Sequence, residues 1–172
     1  MIKKLITSLL LFFVTLASAV TNTGGNRADF NARYIRTDGY YEGAEYPVVT
    51  VISTKEELDK YCEKYETRYD LISQSSASSG ASTGFLGVVE NYTESFFESN
   101  FLVIVLLEEN SGSVRHEVLR VAENGDIAIK RLIPEIGTAD MAEWNIIIEL
   151  DNGLKAEQFN VVFVNESALA KD

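Results

Sequence analysis

"FLVIVLLEENSGSVRHEVLRVAENGDIAIKRLIPEIGTADMAEWNIIIEL", Phe101 to Leu150, decides how this chain folds. Its opening run, "FLVIVLL", is apolar on both faces of an extended segment, which marks a strand in the middle of a sheet. "SVRHEVLRV" follows across an Asn110-Ser111-Gly112 turn, "IAIKRLI" across Asn124-Gly125, and "EWNIIIEL" beyond a proline-led corner. Past the quoted stretch, Asp151-Asn152-Gly153 leads into "FNVVFV". Asn-Gly pairs favour the positive φ angles of tight hairpins. The expectation is therefore an antiparallel meander of about five strands.

Toward the N-terminus, "NARYIRT" and "YPVVTVIS" read as two further strands. "STKEELDKYCEKY" reads as the main helix: Ser53 and Glu56 match a capping box, and Leu58, Tyr61, Cys62 and Tyr65 recur at helical spacing. Cys62 thus falls on the buried stripe. "SQSSASSGAST", Ser73 to Thr83, is too poor in large apolar groups to fold alone, and "YTESFFES" predicts a short second helix. The fold class that follows is α+β, a mainly antiparallel curled sheet or half-barrel with the Ser53 helix on one face or end. Residues 31–172 form one domain, preceded by a flexible arm over 20–30 that contains the polar "TNTGGN".

Before the arm, "MIKKLITSLLLFFVTLASAV" places Lys3 and Lys4 ahead of an apolar run that ends in Ala17-Ser18-Ala19. This is the order of a secretory signal peptide over residues 1–19, with cleavage before Val20. The expected location is secreted or cell envelope, outside the cytoplasmic membrane, with no stable membrane span after cleavage. Cys62 is the only cysteine, so no intramolecular disulfide supports the exported fold. The formal net charge is −11, and cleavage removes two of the lysines. Scattered basic residues on so acidic a chain disfavour nucleic acid and anionic lipid as partners.

Catalysis is constrained mainly by elimination. A nucleophile site with a histidine base would need His116, the only histidine, which lies mid-strand in phase with Val114 and Val118. One histidine and one cysteine do not make a zinc site, and no phosphate-binding, hydrolase or EF-hand motif is present. The expectation is a protein that is not an enzyme and needs no cofactor. Glu108, Glu109, Glu135, Asp140 and Glu143 lie in turns or near strand ends. Of these, Glu135, Asp140 and Glu143 are the acidic candidates for Ca²⁺, should the corners converge. Tyr34, Tyr40, Tyr41 and Tyr46 offer aromatic faces for a glycan or a docked protein.

The densest unusual segment is "PEIGTADMAEW", Pro134 to Trp144. Pro134 lacks an N–H and should end the strand through Ile133, and Gly137 permits a reversal. Asp140 is expected to cap one helical turn, with Glu143 in capping-box register and Met141 and Trp144 turned inward.

The order of elements over Phe101 to Leu150 resembles the C-terminal domain of the PrcB family of protease-complex-associated proteins: apolar strand, glycine turn, strand, Asn-Gly hairpin, strand, proline-led corner, strand. Where family members commonly carry Gly-Gly-Tyr in the turn, this chain has Ser111-Gly112-Ser113. The chain as a whole is also similar to exported proteins of Gram-positive anaerobes. The resemblance implies a small β-rich binding domain that associates with an exported protease, and it identifies no catalytic residue. Two functions stay open at this point: an exported non-catalytic protein-binding domain, and a cation- or glycan-binding extracellular module.

Overall fold

A computed structural model describes residues 27–38, 44–71 and 84–164. The expected signal segment, most of the expected arm and the serine-rich tract lie outside them. Among the described residues, seven strands and three helices follow in the order β1 (Phe30–Thr37), β2 (Val48–Ile52), α1 (Lys55–Tyr65), α2 (Phe85–Val89), α3 (Glu94–Phe97), β3 (Asn100–Glu109), β4 (Arg115–Val121), β5 (Asp126–Leu132), β6 (Ala142–Asp151) and β7 (Asn160–Val164). The fold is α+β with mostly antiparallel pairing, as expected. Helix α2 is an addition, since its sequence "FLGVV" is too short to show a helical period.

The strands divide into two open sheets, ordered β1-β6-β3-β2 and β4-β5-β7. The five strands from Phe101 onward therefore do not lie side by side in chain order. Only β4 and β5 form a hairpin. β3 instead pairs with β6 over ten residue pairs, and β7 joins β5 in parallel. The cause is visible in burial. β3 and β6 are buried over almost their whole length, whereas β4 alternates exposed and buried positions. Strands apolar on both faces are stable only when both faces are covered, so β3 and β6 take the centre of the first sheet.

Each face of that sheet has its own core. Leu102, Ile104, Leu106 and Ile147 meet Leu58, Tyr61, Tyr65 and Phe85 of the helical layer. Their neighbours Val103, Val105, Ile146 and Ile148 meet Val118, Val121, Ile127 and Ile129 of the second sheet. The result is three layers: helices, a four-stranded sheet and a three-stranded sheet. Polar pins join the first two. Tyr61 Oη donates to Asn145 Oδ1 at 2.7 Å, and Asn145 Nδ2 donates to Thr37 Oγ1 at 2.9 Å, all within the buried interior.

The cap of α1 is one residue later than expected. Thr54 Oγ1 accepts the Glu57 N–H at 3.1 Å, and Glu57 Oε2 accepts the Ser53 N–H at 2.7 Å. "STKEE" contains two overlapping Ser/Thr-x-x-Glu patterns, and the structure uses the second. Cys62 is partly buried against the helical core, and burial pushes its thiol up to about 11, so thiolate is scarce at neutral pH. At the N-terminal end, β1 begins at Phe30, the last residue of the expected arm. Ala28 N–H donates to Val121 O at 2.9 Å and Arg27 Nη2 to Leu119 O at 2.7 Å, tying the end of the expected arm to β4.

Candidate functional site

The connection from β5 to β6, residues 133–141, must cross from the second sheet to the first. It contains no helical turn, and Ala142 already begins β6. Asp140 is therefore not an N-cap. Its Oδ2 accepts from Arg36 Nη2 at 2.9 Å, its Oδ1 accepts the Gly112 N–H at 3.2 Å, and Thr138 bonds to it through its side chain. The Thr138 bond first, then Arg36 and the Gly112 N–H, hold the Asp140 carboxyl down at about 2.

The neighbouring turn from β3 to β4 completes this clamp. Thr138 N–H donates to Ser113 Oγ at 3.0 Å, and the Thr138 hydroxyl lies 3.0 Å from Ser113 Oγ and 3.3 Å from Ser111 Oγ. A Cβ at Gly112 would meet the ends of the Asp140 and Arg36 side chains, which would have to shift to admit it. Arg36 Nε also donates to Asp38 Oδ1 at 3.1 Å. The two loops are thus joined by side-chain and backbone bonds, although few of these residues are apolar.

What the clamp holds outward is apolar. Ile136 is 89% exposed, Ile133 67% and Met141 55%, with Leu132 at 37% beside them. Met141 therefore turns outward, against expectation, while Trp144 turns inward as expected. Strand alternation explains this: Trp144 shares a face of β6 with Ile146 and Ile148.

Trp144 lies over the second polar group. His116, buried between the sheets, donates from Nε2 to Glu109 Oε1 at 2.8 Å. Arg131 donates to both Glu109 oxygens, Nε at 2.9 Å to Oε1 and Nη2 to Oε2. Burial works against the Glu109 charge, but the bonds from His116 and Arg131 outweigh it and hold its carboxyl below the usual range. An ionised carboxylate only accepts, which places the His116 proton on Nε2. The His116 and Trp144 rings meet edge-to-face at 5.4 Å, and Arg115 packs over the indole at 5.3 Å. His116 Nδ1 and Trp144 Nε1 are buried without a hydrogen-bond partner among the described residues.

The three acidic candidates are not brought together for a cation. Glu135 is exposed at the corner, Asp140 is bound to Arg36, and Glu143 is buried within β6, opposite Thr37 and Glu108. Among the described residues no three His, Cys, Asp or Glu side chains are grouped to hold a metal ion. Tyr34 and Tyr46 are half-buried, the first accepting from Val118 N–H at 2.7 Å and the second paired with the Tyr69 hydroxyl at 2.7 Å. Tyr40 and Tyr41 lie outside the described residues. Two open clefts, of about 660 Å³ beside Asp29, Glu123 and Asp151 and about 530 Å³ between Val49, Val51 and Phe159, contain neither histidine nor cysteine. No helix among the described residues is long and apolar enough to cross a membrane.

Sequence reasoning missed Glu109 as an interior group. Parity along β3 carried the signal, because Glu109 falls in step with Val103, Val105 and Leu107, all on the face that meets the second sheet.

Substituting Asp140 tests the clamp. Asp140→Ala is expected to melt below the wild type by the same amount in calcium and in chelator. Its carboxyl is depressed in the fold, so its stabilising effect is present above the ordinary aspartate range near 3.8 and is lost as pH falls through about 2. The melting difference between wild type and variant should therefore narrow across that acid window. A calcium-dependent rise in the wild type alone would make Asp140 a metal ligand instead.

No protein-family model, no curated protein and no solved structure matches this chain.

Proposed function

We propose that this protein is an exported, non-catalytic domain that binds another protein outside the cytoplasmic membrane, and that the corner over 132–141 makes the contact. The observation that carries the reading is the exposure of Ile133, Ile136 and Met141 on a loop tied to the neighbouring turn at Thr138 and Asp140. Exposed apolar side chains cost solubility, and a clustered set of them marks an interaction surface more often than chance surface composition does. A backbone fixed in advance loses little further freedom when a partner binds, so more of the contact energy appears as affinity. The leader-like order of Lys3, Lys4, an apolar run and Ala17-Ser18-Ala19 supports export. The resemblance to the PrcB family makes an exported protease the partner class of first interest.

The absence of catalysis is part of the same proposal. His116 is sealed between two sheets with its side chain 0% exposed, so it serves there as a structural donor to Glu109.

The reading is tested by comparing the wild type with an Ile133→Ser, Ile136→Ser, Met141→Ser triple variant, produced in the cells that make the protein. Intact mass should show a chain beginning at Val20 in the envelope or medium. Chemical cross-linking should yield one protein adduct with the wild type and lose it with the variant, while both melt alike. Equal adducts from both would overturn the corner as the contact. Retention on polysaccharide in place of a protein adduct would favour the glycan-binding alternative.

A further inference from the structure

Resting on the protein-binding reading, we propose that the partner presents a concave apolar pocket with a basic rim, into which the corner inserts with Ile136 at its tip. The shape follows from exposure. A side chain 89% exposed on a clamped loop stands clear of the surface, with Ile133 and Met141 as shoulders. Such a projection buries most of its area in a pocket and little of it on a flat face.

The rim follows from charge. Glu135 is exposed between Ile133 and Ile136. Of the guanidiniums beside the corner, Arg36 is engaged by Asp38 and Asp140 and Arg131 by Glu109, while Arg115, opposite Leu132, donates to the carbonyls of Gly112 and Val114. The corner therefore presents a carboxylate beside its apolar tip, on a chain of formal net charge −11. A cationic rim would meet Glu135 on docking and would attract the whole protein beforehand. Two other occupants fit less well. An anionic bilayer repels an acidic protein, and a second copy of this chain would bring the same negative charge against itself.

The experiment places a benzophenone amino acid at Ile136 in the full chain, in the cells that make it, and at Lys60 on the exposed side of α1 as a comparison. Irradiation should join position 136, and not position 60, to one protein. Mass spectrometry of the linked peptide should find apolar residues with lysine or arginine close by in the partner's fold. With that partner purified, association should slow at least about tenfold between about 0.05 and about 0.3 M salt, and Glu135→Lys should slow it several-fold at low salt. An adduct with lipid only, with a second copy only, or with an acidic or flat polar surface would overturn the proposal, as would salt-independent association. If position 136 gives no adduct while cross-linkers placed at Val51 or Val162 do, the domain binds protein through another surface: this inference fails together with the corner as the contact, and protein binding itself stands. If none of these positions yields a protein adduct, both readings fall.

Discussion

Glu109→Ala should be among the most damaging single substitutions in this protein, lowering stability by about 3 kcal/mol or more. The carboxylate is only 1% exposed and serves two donors from different strands, His116 on β4 and Arg131 on β5. Its removal leaves the sealed His116 Nε2–H with no acceptor and removes the counter-charge of Arg131. Arg131 is 35% exposed and reaches water, so the loss should fall toward the lower end of what breaking a buried ion pair costs. Glu109→Gln retains an oxygen for His116 and should cost less.

The pH dependence has a definite sign. Because the folded carboxyl lies below its ordinary range, its contribution is complete above the unfolded value near about 4.3 and disappears as pH falls through the lower folded value. Urea melts of wild type and Glu109→Gln should therefore converge in acid. A difference that stays constant from neutral pH to about pH 3 would show that Glu109 acts by shape alone.

The placement of Glu109 shows how far the sequence could be read. Each strand is recognisable from its own residues, because apolar periodicity is a local property. Sheet order is not local. It depends on which strands must be covered on both faces, and comparing "FLVIVLL" and "WNIIIEL" with the alternating "VRHEV" would have paired β3 with β6. The same comparison would have turned Glu109 inward. Asn145 is harder to read, since a single polar residue in an apolar run shows neither Tyr61 above it nor Thr37 beside it.

The corner was conspicuous for its composition, yet its clamp was hidden. Arg36, Gly112 and Asp140 are distant in sequence and meet only because β1 and β6 pair beside the turn that follows β3. Asp140 with Glu143 matched a helix-start pattern, but the strand demand of the run beginning at Ala142 prevailed over that local preference.

The two Asn-Gly signals behaved differently, and one leads to the second large effect: Gly125→Ala is expected to cost more than about 2 kcal/mol. Asn152-Gly153 does not close a hairpin; it sends the chain from β6 to the other sheet. Gly125 does sit in the β4–β5 hairpin, with φ of 90°, although Asn124 does not share a positive φ. Gly125 N–H donates to Ala122 O and Ala122 N–H to Asp126 O, both at 2.9 Å, the bonding of a tight turn that ends in a left-handed glycine. An L side chain at that φ is strained. There is a second reason for glycine. Gly125 O accepts the Asn160 N–H at 3.1 Å where β7 starts beside β5, and a Cβ on Gly125 would lie well under 3.0 Å from the Gln158 carbonyl oxygen. Asparagine separates the two causes, because it tolerates the left-handed region better than alanine but still carries a Cβ. Gly125→Asn should remain clearly destabilised, and hydrogen exchange in both variants should quicken first at the amides of β7. An asparagine variant as stable as the wild type would show that backbone angle alone demands the glycine, and that the approach of Gln158 places no constraint on the turn.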